Sequence, residues 1–457
     1  MRWLAFLVVT VFIAVTDLAS APALAVEPPL VPPGPPPSGP VAPLDPTEQK
    51  SECGAGVVLP GSQFRQRPSA DAMLDYSGAW RFSRGAGQKV AVIDTGVSRH
   101  PRLPALEAGG DYVSSSDGLA DCDGHGTLVA GLIAAAPSPD DAFAGVAPEA
   151  TILSIRQNSD VYSVKGSASG QNDPNAVSPG YGNTRTLALA IARAVDLGAT
   201  VINLSETACA PVGAGMDDAS LGQAVRYAFE RNVVVVAAAG NVGSQGLCSA
   251  QNDVRDPNLP LADDWGSVRT IASPPWFADY VLTVGAVAPD GKPSDFSLHG
   301  PWVSLAAPGE QLTSLSPNGP GLMNAWQDPQ RGPVPVNGTS FAAPLVSGVV
   351  ALVRSRFPDL SAQQVVERIK RTAQTPAEGP NAATGYGVVD PIAALTHDLP
   401  PAAQMPSHLT GHAVDRPKAR HPVSTRGRDI VLIVVAVCAA LATVAVVMIR
   451  NVTGQPK

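Results

Sequence analysis

"KVAVID", residues 89–94, is the stretch that decides the fold. It is short, apolar and β-branched, and it shows no alternation of apolar with polar residues. A strand with one wet face alternates; a strand buried on both faces reads as a continuous apolar run, as in a parallel sheet. Four more runs share this texture: "TILSI" (151–155), "TVINLS" (200–205), "NVVVVAAAG" (232–240) and "YVLTVGAVA" (280–288). Helical patterns stand between and after them. "TRTLALAIARAVDLG" (184–198) has apolar positions three and four apart and ends at Gly198. "MDDASLGQAVRYAFERN" (216–232) opens with acids, and "DLSAQQVVERIKRTA" (359–373) opens with capping residues. Strands alternating with helices predict an α/β domain, a mostly parallel sheet flanked by helices.

The ends of the 457-residue chain set its organisation. "MRWLAFLVVTVFIAV" followed by "APALA" reads as a secretory signal peptide over 1–25, cut after Ala25. Residues 26–60 form a proline-rich extension that cannot pack a core alone. The compact domain is expected at 61–398, followed by a second proline-rich linker at 399–429. "IVLIVVAVCAALATVAVVMI" (430–449) runs without a charge, long enough to span a bilayer, which leaves 450–457 as a cytoplasmic tail. Basic residues from Arg416 to Arg428 fall on the outer side, against the usual charge bias, but an exported domain translocates regardless of such flanks. The expectation is therefore a cell-membrane, single-pass protein with its domain on the extracytoplasmic side.

The net charge of -8 comes without a basic stripe on the body of the chain, which argues against nucleic acid as a partner. No acidic cluster has calcium-loop spacing, so no metal and no cofactor is expected. Residues 156–183, polar and rich in Gly and Ser, read as a long loop open to cutting. "DGLADCD" (117–123) reads as an acid-rich surface loop. Cys438 lies in the apolar span; Cys53, Cys122, Cys209 and Cys248 form an even set, which in an exported domain implies two disulfides with three possible connectivities.

Chemistry in open parallel sheets gathers beyond the carboxyl ends of the strands. Asp94 ends "KVAVID" and Asn241 follows "NVVVVAAAG", so both belong to that edge. His125, flanked by Gly124 and Gly126, and Ser340, in "NGTSFAAP" (337–344), each stand at the mouth of a small-residue helix. A serine becomes a nucleophile when a base takes its proton, and the base needs a third group to orient it. Pro344, read as lying in a first helical turn whose amides have no partner anyway, costs little there.

"AVIDTGV", "GHGTLVAG" and "NGTSFAAP", in that order, resemble the signature blocks of the subtilisin-like serine proteases, and "AAAGN" resembles that family's oxyanion block. The resemblance implies a subtilisin-like fold with Ser340 as nucleophile, His125 as general base and then acid, Asp94 orienting the imidazole, and Asn241 donating to the oxyanion. It also implies a substrate wall at Ser205, Glu206, Ala239 and Gly240. Glu206-Thr207 departs from the apolar residue and glycine usual there, and Glu206 reads as a solvated loop acid. Signal, proline-rich extension, protease domain, linker and single span together resemble the mycosins, membrane-anchored subtilases of type VII secretion systems. That resemblance implies an extension lying against the domain, disulfide clamps, protein substrates, the cytoplasmic membrane and a type VII secretion membrane complex as partners. A structural role in that complex, with proteolysis secondary, is the alternative. Within it, Cys209 and Cys248 fall on loops at one sheet edge, which leaves Cys53 for Cys122.

Overall fold

The run at 89–94 is an interior strand of the sheet, with a neighbour on each side. In chain order the strands are β1 (Thr47–Gln49), β2 (Gly56–Val57), β3 (Lys89–Asp94), β4 (Leu106–Asp111), β5 (Thr151–Arg156), β6 (Tyr162–Val164), β7 (Val201–Leu204), β8 (Ala208–Pro211), β9 (Val234–Ala238), β10 (Thr270–Ser273), β11 (Val281–Val287), β12 (Val303–Pro308), β13 (Ser314–Leu315), β14 (Leu322–Met323), β15 (Ala325–Asp328) and β16 (Gly332–Pro335). Seven of them form one sheet in the order β12-β11-β9-β7-β3-β5-β4, and every pairing is parallel. The structure, a computed structural model, describes residues 26–166, 173–243, 248–252 and 264–399, with scattered helical residues between 436 and 448.

Both faces of the sheet are covered, which is why its strands carry no alternation. On β3, Val90 and Val92 enter one apolar cluster, while Ala91 and Ile93 enter the other. The first cluster packs against helices α1 (His125–Ala134) and α4 (Thr339–Arg356); the second packs against α2 (Thr184–Asp196) and α3 (Ala219–Glu230). Helix α4 is buried from Thr339 to Val353, and small residues along it let it pass close under the strands. Capping is local and legible. Asn183 accepts from the amides of Arg185 and Thr186 at the start of α2, and Ser361 accepts from Gln364 at the start of α5 (Ala362–Thr372).

Residues 26–57 lie along this unit as added edges. β1 pairs antiparallel with β6, and β2 pairs antiparallel with β15. Val31 packs against the second cluster, and its carbonyl accepts from Arg226 Nη1 on α3 at 3.1 Å. Cys53 is joined to Cys122, and Cys209 to Cys248.

Two expectations need correction. The stretch 156–183 is not an open loop where it is described: Arg156, Gln157, Asn158 and Ser159 are buried, β6 lies within it, and Tyr181 is buried. The reason is the carboxylate of Asp123, which accepts from Ser159 Oγ and from the amides of Asp160 and Val161. "DGLADCD" is likewise no simple surface loop, because Asp121 is buried, with both oxygens occupied. The signal at 1–25, the tail at 450–457, and most of the linker and of the apolar span lie outside the described residues. Among the described residues no helix is long and apolar enough to cross a membrane.

Candidate active site

Asp94 is the last residue of β3 and fully buried. Its Oδ1 accepts from the Thr95 amide at 2.8 Å and from His125 Nδ1 at 2.7 Å, while Oδ2 is buried with no partner among the described residues. In the neutral imidazole that hydrogen bond fixes the tautomer, with the proton on Nδ1 and the basic lone pair on Nε2. His125 is the first residue of α1, entered through Gly124 in the left-handed region. Asp121 sets that entrance. Its Oδ1 accepts from Thr95 Oγ1 and the Gly124 amide, and its Oδ2 accepts from the Thr127 amide and hydroxyl.

Ser340 is the second residue of α4 and is 8% exposed. The His125 ring lies against the ring of Phe341, centroids 4.8 Å apart, which brings the imidazole to the first turn of that helix. No hydrogen bond joins Ser340 Oγ to His125. Gly338 precedes the helix at φ 156°, and a Cβ there would stand 2.8 Å from Ser340 Oγ, so a side chain would crowd the hydroxyl.

Pro344 proves to be the sixth residue of α4, beyond the turn whose amides are unpartnered. The missing N–H is the one that would bond the Ser340 carbonyl four residues back. The Ser205 hydroxyl takes that role and donates to the Ser340 carbonyl at 2.7 Å, while accepting from Asn203 Nδ2 at 2.9 Å. The Ser205 side chain is thus committed to holding Ser340, and only its main chain is left to face a substrate.

Asn241 follows β9, with Oδ1 accepting from the amide and the hydroxyl of Thr339, each at 3.0 Å. With the oxygen so occupied, the amide nitrogen is the end left to donate. Ala239 is buried, and Gly240 at φ 104° backs onto the disulfide: a Cβ there would stand 2.8 Å from Cys248 Sγ.

Glu206 corrects the reading of a solvated acid. Its side chain is 18% exposed and its Oε1 stands 3.6 Å from His125 Nδ1. Burial pushes its carboxyl well up; the imidazole opposes this, and Asp94 and Asp160 add to it. Burial alone would pull His125 down, but Asp94, by charge and hydrogen bond, and then Glu206 and Asp121 outweigh it and raise the imidazole to about 10. Asp94, His125 and Glu206 bring their ligand atoms within 4.8 Å of one another. The 2.7 Å between Nδ1 and Oδ1 is a hydrogen bond, shorter than the roughly 3.3 Å that separates ligands on a tetrahedral ion with bonds near 2.0 Å. Asp94 and His125 are thus arranged as a hydrogen-bonded pair.

This geometry meets its match in known proteins. The Subtilase family model covers residues 85–387. Mycosin-1 of Mycobacterium tuberculosis is 47% identical over 392 residues, 85% of this chain and 86% of that one. The chain belongs to the subtilase family of serine proteases, among the mycosins. Two solved structures share its fold. A MycP3 protease from the type VII (ESX-3) secretion system is 48% identical, with TM-score 0.76, covering 82% of this chain and all of that one. A chain of an intact ESX-5 inner membrane complex is 42% identical, with TM-score 0.75, covering 93% of this chain and all of that one.

Sequence reasoning placed Asp94 at a strand end and His125 and Ser340 at helix starts, where the structure has them, but missed the parts that hold them. Asp121 and the Ser205–Ser340 bond depend on contacts made far along the chain. Glu206 carried one signal, its departure from the apolar residue usual at that position.

Proposed function

We propose that this mycosin is a membrane-anchored serine endopeptidase that hydrolyses peptide bonds in protein substrates by a Ser340–His125–Asp94 triad. Ser340 attacks the carbonyl carbon while His125 takes its proton at Nε2 and later returns it to the leaving amine; Asp94 stabilises the imidazolium that forms between. Asn241 and the Ser340 amide donate to the oxyanion, and the positive end of α4 faces the same charge. The main chain around Ser205 and Gly240, with Glu206 and Ala239 beside it, supplies the substrate wall. The observation that carries this reading is the 2.7 Å bond from His125 to Asp94, with the ring seated on the first turn of the serine helix.

Kinship with the ESX-3 and ESX-5 chains supports a place in a type VII secretion membrane complex, held by the apolar segment 430–449 with the domain on the extracytoplasmic side. Because the ESX-5 relative stands in an inner membrane complex, a structural contribution to such an assembly is the second reading. A fluorophosphonate probe tests the enzyme: labelling is expected in the wild type and lost in Ser340→Ala. Labelling that persists in Ser340→Ala removes Ser340 as nucleophile. Secretion that survives Ser340→Ala but fails on deletion makes the structural role the essential one.

A further inference from the structure

An enzyme that must lift a proton from a serine holds its base neutral at working pH, with one acid to orient it. Here the base has two. Asp94 Oδ1 holds Nδ1 at 2.7 Å, and Glu206 Oε1, from the loop after β7, approaches the same nitrogen at 3.6 Å. We propose that Glu206 is a brake on the catalytic base, drawing a proton onto His125 so that much of the enzyme rests with Nε2 occupied and unable to activate Ser340.

The inference rests on the triad reading above, and its physical basis is local. A negative charge within about 4–6 Å of a titrating group favours the charged form, typically by ~1–3 pH units. Among the described residues, nothing cationic stands between the two acids except the imidazole itself. The groups that face His125 are Asp94 from the end of β3, Asp121 from the entrance to α1 and Glu206; from α4 it meets only the neutral ring of Phe341. The groups that face Glu206 are His125, Asp94, Asp160 from the loop after β5, and Asn158, which hydrogen-bonds the carboxylate. Each of these charged neighbours other than the imidazole is an acid. Asp94 Oδ2 has no hydrogen-bond donor among the described residues to share its charge. The field at Nδ1 is therefore strongly negative, and it is relieved by placing a second proton on the ring. Burial raises the Glu206 carboxyl as well, so the two groups compete for one proton, and the asparagine bond to the carboxylate favours the ion pair.

The brake has a direction. Raising pH removes the shared proton and frees Nε2, so activity climbs on the alkaline side of neutrality. Deleting the charge of Glu206 frees Nε2 at lower pH. Glu206 acts through His125, which makes it a positioning residue rather than a catalytic one.

The test is the pH dependence of fluorophosphonate labelling, measured on the full-length protein. In Glu206→Gln the acidic limb is expected to move down by ~1–2 pH units, which makes labelling at neutral pH roughly tenfold faster or more. Glu206→Asp, which keeps the charge but draws it back, is expected to lie between the two. Thermal unfolding of each variant reports folding separately. A second measurement needs no change at Glu206: the 15N resonances of His125 in Ser340→Ala are expected to report an imidazolium at pH 8. Labelling that depends on Ser340 but has the same limb in Glu206→Gln, or a neutral His125 ring at pH 8, overturns the brake and leaves the triad standing. Labelling that ignores Ser340 overturns the triad instead.

Discussion

The bond from Ser205 to Ser340 makes a quantitative prediction, because two residues far apart in the chain compete to satisfy one carbonyl. Pro344 cannot donate to the Ser340 carbonyl, and Ser205 Oγ does so at 2.7 Å in a buried position. Ser205→Ala therefore leaves a buried acceptor without a donor, at a cost of about 1–3 kcal/mol. Pro344→Ala alone restores a backbone N–H at the right spacing and relieves an interior proline, worth up to about 3 kcal/mol on propensity scales. In the Pro344→Ala background the carbonyl has a second donor, so Ser205→Ala should cost less there. The expected coupling is about 1 kcal/mol, within the range for residues that share a partner. Guanidinium unfolding of the four proteins of the cycle, followed by tryptophan fluorescence at constant slope, measures it. On the proposed mechanism activity should follow: Ser205→Ala loosens the turn that carries Ser340 and lowers kcat, and Pro344→Ala partly rescues it. If Ser205→Ala costs the same with the proline present as with Pro344→Ala, within about 0.3–0.5 kcal/mol, the reasoning is refuted.

Three further outcomes are expected. Asp94→Asn keeps the shape but loses the charge that orients the imidazole, so kcat should fall by roughly 10⁴ in a peptide-substrate assay. Asn241→Ala removes an oxyanion donor and should lower kcat by ~10² to 10³ with KM little changed; it also strips Thr339 of its acceptor, which Asn241→Asp would retain. The third concerns stability and pH. The imidazole is raised from its ordinary 6.5 to about 10 on folding, so its contribution is complete below pH 6.5 and is lost as pH rises through 10. The stability difference between wild type and His125→Gln should therefore shrink between about pH 7 and about pH 10.5 in parallel denaturant titrations.

The sheet was legible because burial on both faces leaves a direct mark on composition. Val90 and Val92 face one core, Ala91 and Ile93 the other, and no position between them could be polar until Asp94 at the strand's end. The places of Asp94 and Asn241 beyond strand ends and of His125 and Ser340 at helix starts were legible, because such ends are where a polar group has a reason to stand. What escaped were groups whose surroundings come from elsewhere in the chain. Glu206 sits in a loop, where an acid is solvated by default, and only the approach of α1 makes it a neighbour of His125. Asp121 and Asp123 looked like surface charge because their donors, Thr95 and Thr127 for one and Ser159 to Val161 for the other, are not read from a run of acids. Pro344 lies just past the first helical turn rather than in it, a small difference in register that hides which carbonyl it leaves free.

The order in which this chain is made sets a puzzle for how it assembles. Residues 47–57 are synthesised before the strands they join, β6 and β15, the second of which follows the whole seven-stranded sheet. β1 must therefore wait for β6, and β2 must wait longest, until β15 is made, and closes like a latch. Folding intermediates should keep β2 open to proteases until a late step, and removing residues 47–57 should expose two strand edges at once, a liability for self-association.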